Sequence, residues 1–257
     1  MNIDYWIAHF RRNGIERPEP DWDAPLDLQG KRLAKLTRSI QQFQLGDGGG
    51  PAYLIAWNRE SLLTSDPGIH TLVDLWFAEE VEHSRLLGVM LARLGGRPID
   101  NHWSFGLFCG LRKWLGVGFE LYALLLTEIV SHVYYKMLHR HGGDEALRGM
   151  CRLIIRDEAG HIAFHRARLA SDGRHKGKRY GRLWEALFRL RGLTAGTVLW
   201  INHRGALVAL GATDREFYST IWRDMGKFIA GLREDVVRNL GADASLSIKQ
   251  ECKTEVC

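Results

Sequence analysis

The chain has 257 residues, 46% of them hydrophobic and 25% charged, with nine tryptophans and ten phenylalanines. That is enough apolar material for one large core and excludes a chain disordered throughout. A net charge of +5 and a pI of 9.1 admit an acidic partner, but the densest basic run, Arg174 to Arg182, lacks the interleaved aromatics of a nucleic-acid groove; nucleic acid is not expected as a partner.

In chain order, residues 1–27 predict an arm: an amphipathic segment, Ile3 to Arg11, then a connector with Pro18, Pro20 and Pro25, with no visible chemistry. From Leu28 to about Leu63 the pattern is helical, with Leu33, Leu36, Ile40, Phe43, Leu54, Trp57 and Leu62 on related faces. It is interrupted at Gly46 to Pro51, where each glycine costs about 1 kcal/mol inside a helix and the proline about 3. Asp66 as N-cap and Pro67 as first residue open a second helix, which ends at Gly95-Gly96. Asn101 to Leu115 predicts an apolar helical connector and Gly118 to Arg140 a third helix; Gly142-Gly143-Asp144 turns into a fourth, which reaches Ala170. Arg182 to Leu210 forms a fifth, and the capping box Thr213 to Glu216 opens a sixth that stops at Gly241.

The expected organisation is an arm over 1–27, an all-α domain over 28–241 and a disordered tail over 242–257. The long apolar stretches Trp114 to Val133 and Leu193 to Leu210 contain Glu120 and Glu128, or His203 and Arg204, which suits core helices and not membrane spans. Cys109, Cys151, Cys252 and Cys257 follow no zinc or disulfide spacing, and Met1 to Arg12 has no secretory apolar run, so a reducing cytoplasm is expected. Cys252 and Cys257 read as ordinary thiols of the tail, with an electron-delivering pair as the alternative.

Two stretches carry the chemistry: FAEEVEHSRLL at Phe77 to Leu87 and RDEAGHIAFHR at Arg156 to Arg166. In each, a glutamate and a histidine stand three residues apart, Glu80 with His83 and Glu158 with His161. On a helix that spacing puts a carboxylate and an imidazole on one face, in reach of one ion. A carboxylate-bridged two-metal site in a helical bundle needs two such pairs and one carboxylate from each of two further helices. Residues equidistant from the turn of an antiparallel helix pair lie level. About the turn at Gly143, Glu158 is 15 residues on and Glu128 is 15 residues back. Glu120 sits about 12 Å too far along the axis and reads as an ion-pair partner. About the turn at Ser65, the position level with Glu80 is Gly50, so Asp47, one turn away, is the candidate there. Asp157 and Glu79, each preceding a ligand glutamate, are placed to hold a ligand histidine of the facing helix. His132 and His165, one turn from Glu128 and His161, either line the pocket or pack in the core, and Tyr134 and Tyr135 read as packing.

On these residues the chain resembles the ferritin-like di-iron carboxylate superfamily. AEEVEH and RDEAGH are similar to the paired motifs of soluble acyl-carrier-protein desaturases and their bacterial relatives, LLLTEIVSHVYY at Leu124 to Tyr135 resembles their intervening glutamate-bearing helix, and FQLGDGGG at Phe43 to Gly50 resembles the first ligand helix of small bacterial members. The chain departs from them at Asp47 and Gly50, where glutamates are usual, and at Glu82 and Gly160, where an arginine often precedes each histidine. The resemblance implies an antiparallel four-helix bundle with two added C-terminal helices and the arm. It also implies Glu80, His83, Glu128, Glu158 and His161 as iron ligands. The implied activity is oxidation of a small or carrier-bound substrate by dioxygen, hydroxylation or desaturation, on two irons (or manganese, or a mixed pair), with an external electron donor, in a monomer or homodimer. The alternatives are an iron-handling protein or a metal-depleted scaffold that binds a partner.

Overall fold

The computed structural model describes the backbone of residues 1–46, 67–176 and 180–254. Asp47, Gly50 and Cys257 lie outside the described residues, as do the side chains at 67, 108, 111–113, 115, 117, 172–176 and from 240 onward, Cys252 among them. Within the described residues there are seven helices and no strand: α1 (Ile3–Ile15), α2 (Gly30–Gly46), α3 (Pro67–Arg93), α4 (Trp103–His141), α5 (Glu145–Lys176), α6 (Arg182–Leu210) and α7 (Asp214–Thr254). The chain is all-α, and no helix among the described residues is long and apolar enough to cross a membrane.

The helix ends follow local chemistry. Asn2 caps α1 by accepting from the Tyr5 amide at 3.0 Å, and Thr213 caps α7 by accepting from the Glu216 amide at 3.2 Å. α6 stops where Gly211 turns left-handed, at φ 117°, and its amide donates back to Leu207. Within α4, Gly116 at φ 79° and ψ 170° breaks the helical path at a conformation that L side chains avoid; an apolar connector and a long helix meet there. Two ends differ from expectation. α5 runs past Ala170 to Lys176, and α7 runs past Gly241 to Thr254, so the stretch 242–254, expected as a disordered tail, is helical. A lone glycine costs only about 1 kcal/mol, and the alanines and leucine that follow it favour the helix.

α3 packs against α1, α2 and α5, while α4 packs against α5, α6 and α7; α6 also meets α2 and α7, and α7 meets α5. The main core joins Leu36 and Ile40 of α2, Leu86 and Met90 of α3, Leu125 and Val133 of α4, Leu147 and Ile154 of α5, Phe188 of α6 and Phe217 of α7. A second, smaller apolar cluster lies under α1, built from Trp6 and Phe10, Leu72, Val73 and Trp76 of α3, Leu121 of α4 and Phe164 of α5. Burying each such aromatic stabilises by about 1.5–3 kcal/mol, so the arm is a packed element of the fold.

The α4–α5 turn hangs on one buried aspartate. Asp144 accepts from the Leu147 amide at 2.9 Å as the cap of α5 and from Arg93 Nη1 at 3.0 Å. Asp144→Ala removes the cap and the ion pair of Arg93, whose guanidinium keeps its bonds to the Trp22 and Ala24 carbonyls, and is expected to cost about 2–4 kcal/mol in urea unfolding. Asp144→Asn keeps the cap and should lose clearly less; equal losses would show that the cap contributes nothing.

Candidate metal centre

α3 presents Glu80 and His83 one turn apart, α4 presents Glu128, and α5 presents Glu158 and His161. One ligand atom each from Glu80, Glu128 and His161 lie within 4.8 Å of one another. His161 Nδ1 is 3.0 Å from Glu80 Oε1 and 3.2 Å from Glu128 Oε2. His83 Nδ1 is 3.5 Å from Glu80 Oε2, and the two imidazole centres are 5.9 Å apart. Glu158, 1% exposed, joins the group through a hydrogen bond with Glu128.

The outward nitrogens are held crosswise. His83 Nε2, from α3, donates to Asp157 Oδ2 of α5 at 3.2 Å. His161 Nε2, from α5, donates to Glu79 Oε2 of α3 at 2.9 Å. Each histidine is thus oriented by the acid next to the other helix's glutamate, which leaves both Nδ1 atoms facing the carboxylates. Asp157 also accepts from Arg17 Nη1 at 2.6 Å and from Arg156 at 2.9 Å.

This arrangement is electrostatically loaded. Burial would raise Glu80, yet His161 and His83 hold it well below the ordinary carboxylate range. Burial, then the charge and hydrogen bond of Glu128, push Glu158 well up, toward its protonated form. Burial would also lower the two imidazoles; Asp157 and Glu80 instead raise His83 to about 10, and Glu128 and Glu80 raise His161 far above its usual value. For Asp157 the pull of His83 and Arg17 outweighs burial and lowers it to about 2. Without another cation, protons must neutralise these carboxylates. Glu158 Oε2 is nevertheless buried with no hydrogen-bond partner, and Glu80 Oε1 and His83 Nδ1 have only the ion-pair contacts within the cluster. Buried carboxylate and imidazole atoms converging on one point, partnered only by one another, are a donor set that fits divalent cations.

Three other candidates stand apart. Glu120 is fully buried two turns before Glu128. His132 turns toward α7, where its Nδ1 is 3.9 Å from Asp224. His165 packs edge-on against Trp76 at 5.0 Å, with neither ring nitrogen hydrogen-bonded. Tyr134 stacks on Phe43 at 3.9 Å and its hydroxyl meets Ser39 at 2.7 Å, which in turn meets His203 Nδ1 at 2.8 Å.

Sequence reasoning missed the arm's part. Arg17 reaches Asp157 across 140 residues of chain, and Phe10 lies 5.9 Å from the His161 ring. A Cβ at Gly160 would stand 2.7 Å from His9 Nε2, so the missing side chain before His161 is what admits α1. It also missed Gln42, whose buried Oε1 has no partner and which lines a cavity of about 890 Å³ that reaches Glu80, Glu128 and Glu158. Phe43, Trp76, Trp103, Phe119 and Leu199 make much of that cavity's wall.

Burial, its largest cause, lowers His132 to about 4 and His203 to about 3. An unfolded histidine takes up its proton near pH 6.5 and these do so only far below, so the stability they contribute is complete above pH 6.5 and is lost as pH falls through 4. At pH 5 the loss is about 1–2 kcal/mol for each. His132→Gln should flatten the fall in urea-unfolding stability between pH 7.5 and pH 5 by that amount; an unchanged fall would contradict the burial argument. Compared with known protein families, curated proteins and solved structures, the chain matches none.

Proposed function

We propose that the chain is a ferritin-like di-iron carboxylate protein that oxidises a small organic substrate with dioxygen. The observation that carries this reading is the crossed pair of histidines, each held at Nε2 by an acid of the opposite helix, with Nδ1 turned to buried carboxylates beneath an apolar cavity. Glu80 and His83 of α3, Glu128 of α4, and Glu158 and His161 of α5 would hold two ferrous ions, or manganese. This predominantly carboxylate set suits those metals better than zinc or copper. Bound there, the metal pair supplies dioxygen activation and hydrogen abstraction from unactivated C–H bonds.

The chain's own residues do the rest. Asp157, kept ionised by Arg17 and Arg156, holds the His83 N–H and fixes its tautomer; Glu79 does the same for His161. Glu158, hydrogen-bonded to Glu128, is the carboxylate whose proton a bound metal would displace. Trp6, Phe10 and Phe164 exclude water from the arm side, and the cavity sets apolar substrate atoms beside Glu80 and Glu128. Hydroxylation puts one oxygen atom into the substrate and the other into water, and desaturation puts both into water; either takes two electrons and two protons from outside, so an external donor is required. The described part of α2 supplies Gln42 toward the cavity and no carboxylate, and Asp47 lies beyond it. A cavity opening on the cluster favours substrate oxidation over iron storage.

The test is anaerobic loading of the full chain with ferrous or manganous ion, with elemental analysis and a thermal melt. About two ions per chain and a raised Tm are expected, with dioxygen uptake by the reduced, loaded protein. Glu80→Ala and His161→Ala should lose the metal, and Asp157→Asn should weaken its binding about 10–100-fold. Wild-type protein that keeps almost no metal and melts unchanged is a scaffold, and the reading fails.

A further inference from the structure

The cavity wall on α6 has an order that the metal centre does not require. Arg191, Thr194, Ala195, Val198, Leu199, Asn202 and His203 all line it, and their spacing of three and four residues makes one continuous stripe along the helix. The stripe begins exposed and cationic at Arg191, is apolar through Ala195, Val198 and Leu199, and ends buried at His203. At that inner end the His203 Nδ1 is taken by Ser39.

At the outer end, Arg191 lies 5.4 Å from the centroid of the Tyr122 ring and makes no ion pair with any acid among the described residues. The Tyr122 hydroxyl is buried there against the Arg191 guanidinium, which offsets part of the rise that burial gives the phenol. A guanidinium without an acid, held beside a buried phenol at the rim of an apolar chamber, forms a site for an anionic group. Arg191 is the one lysine or arginine among the described lining residues, which suits a single negative charge. With the cation at the rim and Ala195, Val198 and Leu199 lining the way in, an elongated ligand enters with its anionic head outward and its apolar body toward the cluster.

We propose that this cavity binds an amphipathic monoanion, an apolar chain ending in a carboxylate, with its head on Arg191 and Tyr122 and its chain along α6. That this ligand is also the substrate rests on the reading of the cluster as a redox metal centre; that it binds does not. A volume of about 890 Å³ falls in the range that encloses a ligand of that size.

Calorimetric titration of the full chain with decanoate, decanol and acetate tests this, with the metal content of the same preparations measured. Decanoate is expected to bind and acetate to give no signal. Arg191→Gln, at an exposed helical position, should weaken decanoate at least about 10-fold and leave decanol within about 2-fold. Tyr122→Phe should weaken decanoate alone, by about 3-fold; circular dichroism and melting checks that both variants fold. Equal loss of decanoate and decanol in Arg191→Gln, an unaffected decanoate, or no binding of decanoate to the wild-type chain overturns the proposal. Protein that binds decanoate but holds no metal sustains this site and removes its reading as the substrate site; protein that holds metal and ignores decanoate does the reverse.

Discussion

Five carboxylates meet in one dry place, Glu79, Glu80, Glu128, Asp157 and Glu158, and the rest of the structure answers the charge they carry. Ionised carboxylates cost several kcal/mol each to desolvate, so such a group persists only when positive charge comes with it. Arg17 and Arg156 supply part of it, to Asp157. The remainder falls on two imidazoles held protonated against their own burial and on a proton kept by Glu158. Divalent cations would replace those protons, and this is why metal binding here must compete with hydrogen ions.

The helices deliver this arrangement with little strain. Two pairs at i and i+3 put acid and imidazole one turn apart, and setting α3 against α5 lets the acid before each glutamate reach the opposite histidine. The crossed hydrogen bonds cost nothing extra once the two helices are in register, and they tie that register to the tautomers. The same register turns Glu79 and Asp157 outward, toward the arm. There α1 closes the site with Trp6 and Phe10 and brings Arg17 to Asp157, an approach that Gly160 permits because it has no side chain to meet His9.

On the opposite side the cluster borders an apolar chamber. Its far wall is α6, which carries none of the clustered acids and histidines, so α6 can shape what enters without disturbing them. The break at Gly116 leaves both pieces of α4 on the chamber's wall, through Trp103 and Leu107 before it and Phe119 after it. In the proposed reading, chemistry and selectivity fall to different helices: α3, α4 and α5 carry the clustered acids and histidines, while α6 and the first part of α4 form the mouth.

Periodicity and caps made the helices legible: α6 runs over the Arg182 to Leu210 read from its pattern, and Thr213 caps α7; the expected cap Asp66 lies outside the described residues. Spacing alone also put Glu128 level with Glu158, because an antiparallel pair closed by a tight turn obeys simple counting. Helix ends were less legible, since one glycine at 241 costs less than the neighbouring alanines and leucine recover. The arm's contribution could not be read at all. Nothing local to Arg17 marks it as the partner of an aspartate 140 positions away, nor Arg191 as the rim of a cavity over Glu80. Residues that meet through one helix or one short turn are determined by the sequence, because backbone geometry fixes their distance; those that meet across the core were decided only by tertiary packing, which chooses which of many exposed arginines finds which buried acid.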